Sequence, residues 1–170
     1  MPRLVLASER ACADALARIM KEIGRLDAWS FWSVPAQDHV VVAGTTGVFL
    51  VAPEVREGHL EVEGRRVTVG GQEVRLRPMR AAARRLRNRL GSGGIGADIE
   101  PVLCLTRAVA GGPRTVQGVR VVPVEALAAD IARRPQVLPT ARAQRVVRTL
   151  GMTVAGDQKR LAAVLRHRVG

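Results

Sequence analysis

Arg80, Arg84 and Arg87 recur at spacings of four and three, so a helix would carry them on one face. Arg77, Arg85 and Arg89 border that row, and Arg142, Arg145 and Arg148 repeat at intervals of three farther along the chain. Guanidinium groups in such rows suit successive phosphates of a nucleic-acid backbone, giving binding with little sequence preference and strong salt dependence. The competing reading is a solvated helix face in an arginine-rich composition. Other chemistries lack their residues. Cys12 and Cys104 stand alone in apolar settings and read as small buried residues, with no CxxC or Cys/His cluster for a structural zinc. His39 sits at the head of an apolar run and reads as structural, while His59 and His167 have no partners at ligand spacing. Neither a Ser/His/Asp nor a Cys/His nucleophile can be assembled. The GSGGIG segment at 91–96 has no GxxxxGK[ST] pattern and does not lead a strand into a helix, so it reads as a flexible loop.

A chain of 170 residues with 47% hydrophobic content can bury one ordinary core, which excludes general disorder. Aromatics are only 2%, namely Trp29, Phe31, Trp32 and Phe49, so the core must be aliphatic and base-stacking platforms are scarce. The net charge of +12 is the electrostatic footprint of a phosphate-bearing partner. Only Lys21 and Lys159 are lysines, however, and this arginine excess is also what compositional bias produces. An acidic membrane surface is a weaker fit, because no basic amphipathic helix carries bulky apolar anchors. No stretch approaches the roughly 18 apolar residues of a membrane span, and no leader-like apolar run opens the chain, so the cytoplasm is the default location.

These residues need elements to hold them. Ser8 as cap, Glu9 in the first turn and Gly24 as stop predict a helix over 8–24, with Cys12, Leu16, Ile19 and Ile23 as its apolar face. A short strand follows at 29–34, and the β-branched runs 39–43 and 48–51 form a hairpin across Gly44-Thr-Thr-Gly47. Runs at 60–63, 66–69 and 73–76 predict a meander on the edge of the sheet. Pro78 opens a helix to about Leu90, buried along Met79, Ala83, Leu86 and Leu90. Strands at 99–105 and 119–122 and helices at 124–134, 140–150 and 158–168 complete the order. The expectation is an α/β domain over residues 1–150, a central mixed β-sheet flanked by helices, with a helical tail at 151–170.

Several of these segments resemble the nuclease-related domain (NERD) family. DHVVV at 38–42 followed by GVFLV at 47–51 is similar to that family's IDHVVV strand and GVFVIDTK strand. Ser8-Glu9 resembles its GE at the start of the first helix, and Gly70-Gly71 with the helix from Met79 to Leu90 resembles its middle. IEPVLCL at 99–105 is similar to its V.PVLCF strand, and VQGVRVV at 116–122 to its V.GV.VV strand. The likeness runs from about residue 8 to 150 and rests on order and spacing more than on any single motif.

The resemblance implies a restriction-endonuclease-like fold and a metal-dependent phosphodiesterase site. In such a site an Asp on one strand and an acid on its hairpin partner converge on a divalent ion, and a lysine two residues past the second acid shares its sheet face. The chain keeps Asp38 and Glu9 in the matching places. Ala52 stands where the second acid belongs, Pro53 in the middle, and Glu54 where the lysine belongs. One carboxylate is lost and a positive charge becomes negative. Glu54 or Glu57 can replace the missing carboxylate by a register shift or by side-chain migration, and Arg56 the lysine's charge, although an arginine does not give up a proton near neutral pH. Asp38 alone also suits a turn cap.

The leading expectation is therefore a pseudoenzyme: a catalytically degenerate, nuclease-like domain that binds DNA or RNA, or docks in a larger assembly, without cutting, and with no cofactor. The first alternative is a nuclease using Mg²⁺ or Mn²⁺ at a site remodelled around Asp38, Glu54 and Glu9, with Asp38 as metal ligand. The second is a protein–protein interaction module with no nucleic-acid role. The sequence leaves the partner and oligomeric state open.

Overall fold

The computed structural model describes residues 2–26, 30–34, 39–151 and 153–154, with side chains described for 9–26 and 39–151. Helix α1 spans Pro2–Ile23, followed by strands β1 (Ser30–Val34), β2 (His39–Gly44) and β3 (Gly47–Glu54). Three short strands come next, β4 (Gly58–Glu63), β5 (Arg66–Val69) and β6 (Gln72–Glu73), then helix α2 (Arg77–Ser92). Strands β7 (Ile99–Leu105), β8 (Ala108–Val109), β9 (Arg114–Val116) and β10 (Val119–Pro123) lead into a 3₁₀ turn, helices α3 (Leu127–Ala132) and α4 (Thr140–Thr149), and strand β11 (Thr153–Val154).

Seven strands form one mixed sheet in the order β11-β1-β2-β3-β7-β10-β9. Its centre is parallel, with β3, β7 and β10 running together, and its flanks are antiparallel. That centre explains the uninterrupted aliphatic runs, since a strand covered on both faces has no reason to alternate with polar residues. On one face Phe49, Val51, Val102 and Cys104 pack against Leu16, Ile19 and Ile23 of α1 and Leu127 and Ile131 of α3. On the other, Val48 and Leu50 pack against Ala83 and Leu90 of α2 and Ala143 and Val146 of α4. Each such aliphatic side chain contributes about 1.5–3 kcal/mol by leaving water. No helix among the described residues is long and apolar enough to cross a membrane.

The mixed α/β architecture follows the sequence and differs from it in several details, including two short strands, β8 and β9, between 105 and 119 and a 3₁₀ turn opening the helix expected over 124–134. First, α1 begins at Pro2 rather than Ser8, because proline suits a first helical position and nothing before Gly24 breaks the helix. Glu9 therefore lies beyond the first turn, which holds no acid. Second, the meander does not extend the edge of the main sheet. β4, β5 and β6 join β8 in a separate four-stranded sheet, whose Val67 and Val69 pack down on Leu103, Leu105 and Val121. Both sides of β3 are already paired, so the chain leaving β3 must climb out of the sheet plane. The expected third strand shrinks to Gln72–Glu73, and Val74 and Leu76 are buried outside any strand. Third, the glycine segment at 91–96 forms the last turn of α2 and a tight turn, with Ile95 buried at 3% exposure. The start of the expected tail adds β11 to the sheet edge beside β1, while the expected helix at 158–168 lies outside the described residues.

One glycine sets the small sheet's position against the strand exit, and a second in the same backbone region does not. Gly70 has φ of 55°, and a Cβ placed on it would sit 2.4 Å from the Glu57 carbonyl oxygen. Gly64, at the β4–β5 turn, has φ of 57° but open space around it. Gly70→Ala is expected to lower stability by about 3 kcal/mol and Gly64→Ala by about 1 kcal/mol. Urea unfolding midpoints of the two variants check this, and equal losses would show that the close approach is not what Gly70 serves.

Candidate nucleic-acid interface

Helices α2 and α4 cover the same face of the main sheet, and their sequences contain no Asp or Glu. Alanine, leucine and arginine favour helix, and the apolar residues at three- and four-residue intervals turn inward. Ala83 and Leu90 are buried in α2, Ala143 and Val146 in α4, and the arginines stay exposed. The first turn of α2 has no acid and carries Arg77 and Arg80, positions where the helix dipole disfavours positive charge. The helix thus forgoes a common stabilisation and leaves a concentrated positive potential at that end.

Arg77, Arg80, Arg84 and Arg87 line an open groove of about 550 Å³ whose floor is Ile99 and Pro101. Gly118, at the β9–β10 turn, completes the far wall, and Gln117 beside it has φ of 51°. Arg80 makes only a long 3.4 Å contact to the Gln117 carbonyl, and Arg87 lies 3.8 Å from Asp98, both exposed. The Arg77 and Arg84 side chains have no hydrogen-bond or ion-pair partner among the described residues. The same holds for the side chains of Arg142, Arg145 and Arg148.

Six arginines elsewhere are engaged, Arg56 with Glu54 among them. Arg25 pairs with Glu22, Arg107 with Glu57, and Arg18 with Glu125. Arg120 and Arg134 both clasp Asp130, and Arg134 also holds Glu100 while stacking 5.4 Å above the Phe49 ring. Burial acts to raise the Asp130 pKa, but the hydrogen bonds from Arg120 and Arg134 outweigh it and hold the carboxyl below its ordinary value. The groove therefore gathers four exposed arginines whose one ion pair is the long contact from Arg87 to Asp98.

The motif position is elsewhere. β3 pairs with β7 from Val48 opposite Ile99 to Glu54 opposite Leu105. Ile99 floors the groove, so Glu54 lies about 20 Å away along the strands, at their other end. Asp38 lies outside the described residues. Ala52 and Pro53 are half-buried, and Glu54 is buried at 7% exposure. By strand alternation Glu54 shares the sheet side of Leu50, whereas α1, which carries the exposed Glu9, packs on the side of Val51. Glu9 and Glu54 are not brought together. Glu57 is exposed and pairs with Arg107 at 3.0 Å. Among the described residues, no three His, Cys, Asp or Glu side chains cluster as a metal site would need.

Glu54 instead has a structural partner. Arg56 grips its carboxylate in a two-pronged fork, Nε to Oε1 at 2.8 Å and NH2 to Oε2 at 2.6 Å, and the Arg56 backbone amide donates to Oε1 at 2.9 Å. The remaining Arg56 nitrogen, NH1, donates to the Glu73 carbonyl at 3.0 Å, which ties the small sheet to the end of β3. The Glu54 carbonyl accepts from the Thr106 amide at 3.1 Å and hydroxyl at 2.9 Å, closing the end of β7. His39 is buried on the side of Val41 and Ala43, and the register of Val40 opposite Val51 carries it to the level of Ala52. His59 is exposed on β4, and His167 lies outside the described residues. Cys104 is buried, and burial pushes its thiol pKa up, while Cys12 is half-buried.

Sequence reasoning placed Arg80, Arg84 and Arg87 together but set Arg77 among the bordering residues with Arg85 and Arg89. Arg77 belongs to the groove row, at a spacing of three before Arg80. The Glu54–Arg56 fork is not legible in the sequence, which offers Arg56 only as a substitute for the lysine's charge, because its closure depends on the chain turning out of the sheet after residue 54. No protein-family model matches the chain, and no curated protein or solved structure matches it either.

Burial tends to raise the Glu54 pKa, but the Arg56 hydrogen bonds and charge overcome it and hold the carboxyl below its usual 4.5. A lowered folded-state pKa contributes stability that is present above the unfolded value and lost as pH falls through the folded one. Glu54→Gln should therefore cost about 1–3 kcal/mol at neutral pH, with the gap to the parent protein narrowing below pH 4.5. Chemical unfolding at neutral and acid pH measures it, and a gap that stays constant down to the acid transition would remove the fork from the stability of this joint.

Proposed function

We propose that this chain is a catalytically degenerate, nuclease-like domain that binds nucleic acid through the arginine-bearing face of α2 and α4 without cleaving it. The observation that carries the reading is the sorting of charge. Basic residues outnumber acidic ones 27 to 15 over the chain, yet α2 and α4 together bear nine arginines and no acid. Compositional bias raises arginine everywhere and does not by itself clear carboxylates from two neighbouring helices. A face of this kind attracts polyanions at long range, releases their counterions on contact and reads no particular sequence.

The degenerate part of the reading rests on the resemblance to the nuclease-related domain and on the Ala52-Pro53-Glu54 replacement. It is supported by the engagement of Glu54 with Arg56, which leaves that carboxylate occupied by a guanidinium rather than open to a metal ion. A partner lysine's work, holding a water or offsetting charge on a phosphate, has no candidate at that position.

Purified protein incubated with supercoiled and linear DNA plus Mg²⁺ or Mn²⁺ is expected to leave both intact while retarding them in a gel at low salt. Retardation should fade as salt rises, losing about 10³-fold or more in affinity between roughly 50 and 200 mM. Metal-dependent cleavage that Asp38→Ala abolishes would replace this reading with that of a remodelled nuclease. Failure to bind DNA or RNA at the lowest salt would leave the basic face to a protein partner.

A further inference from the structure

The two arginine rows sit on different helices, and the structure joins them. The turn and loop that follow α2 pack along α4. A Cβ on Gly96 would lie 3.2 Å from the Arg142 NH2 nitrogen, and one on Gly93 would lie 3.4 Å from the Thr149 methyl group. On the other side of that loop, Arg87 lines both the α2 groove and a second groove of about 580 Å³ formed with Gly91, Gly96 and Asp98. The two grooves therefore share Arg87, and Arg142 lies against Gly96, one of the residues that line the second. At 1.5 Å per helical residue, the row from Arg77 to Arg87 extends about 15 Å and that from Arg142 to Arg148 about 9 Å. Asp98 is the one carboxylate lining either groove, and its side chain is fully exposed.

We propose that the two rows form one continuous phosphate track, which holds the backbone of a single nucleic-acid duplex from Arg77 across the 91–98 loop to Arg148. The inference rests on the nucleic-acid reading above and adds that both helices grip the same ligand molecule. A duplex is specified by the walls of the α2 groove, which are arginine, alanine, isoleucine, proline and glycine. Bases of a single strand find no ring there to stack on, which removes the usual source of single-strand affinity. A duplex instead presents about twice the charge per unit length of one strand. Backbone phosphates advance about 3.4 Å per step along a duplex axis, so the α2 row of about 15 Å spans roughly four of them and the α4 row of about 9 Å roughly three.

The test is fluorescence anisotropy with a labelled duplex of about 12 base pairs and with its separated single strand, over a series of salt concentrations. The parent protein should bind one duplex per chain, with a slope of log affinity against log salt near −6. Replacing Arg80, Arg84 and Arg87 by Gln should reduce the slope by about 3, and replacing Arg142, Arg145 and Arg148 by Gln should reduce it by a similar amount. The corresponding Arg→Lys sets should stay within about threefold of the parent, which separates lost charge from lost fold. Two duplexes per chain, or one inert row, would overturn the single track while leaving nucleic-acid binding in place. Equal affinity for the single strand would overturn the choice of duplex. If the parent protein binds neither form at low salt, the nucleic-acid reading itself falls.

Discussion

Seven consecutive residue pairs join β3 to β7 in parallel, from Val48 with Ile99 to Glu54 with Leu105. Parallel neighbours cannot be linked by a tight turn, so the chain between them has to cross from one end of the sheet to the other. That obligation generates most of what is distinctive here. The crossover leaves the sheet at Arg56, folds into the small sheet, and returns down the face as α2. The arginines of α2 therefore come to lie over the N-terminal end of β7, while the residues at 52–54 remain at the opposite end. The hairpin of β2 and β3 packs the other half of the sheet and gives α4 its seat.

Charge follows the same division. The faces that α1 and α3 present mix acids with bases, and their ion pairs, Glu22 with Arg25 and Glu125 with Arg18, are surface contacts of small energetic consequence. Asp130, Arg120, Arg134 and Glu100 are better shielded and brace α3 against β7 and β10. On the opposite face α2 and α4 carry arginines and no carboxylate, while the small sheet beside them carries Glu61, Glu63 and Glu73. The uncompensated charge is thus local to the two helices, a separation that net charge alone does not convey.

Much of the architecture could be read from residue patterns because it depends on local chemistry. The hairpin at Thr45-Thr46, the proline-started α2, and the aliphatic runs of β7 and β10 each announce themselves within a few residues. What could not be read depends on distant competition for the same surface. The 60–76 segment has ordinary strand signals, and nothing within it states that β3 is already paired on both sides. The row that includes Arg77 could be counted, but the groove also needs Ile99 and Pro101, which a crossover places beneath it. Glu54 was conspicuous by its sign, and its occupation by Arg56 emerges only once the chain turns.

That occupied carboxylate has a further consequence for how the chain can change. A lysine at position 54 would face Arg56 in a site where the present side chain is only 8% exposed, setting two like charges together and leaving the Arg56 fork empty. The same step would loosen the only side-chain link from this strand end to the Glu73 carbonyl among the described residues. Position 54 is thus not a free choice between acid and base. It is conditioned on position 56, so placing a lysine there without loss of stability requires at least two substitutions.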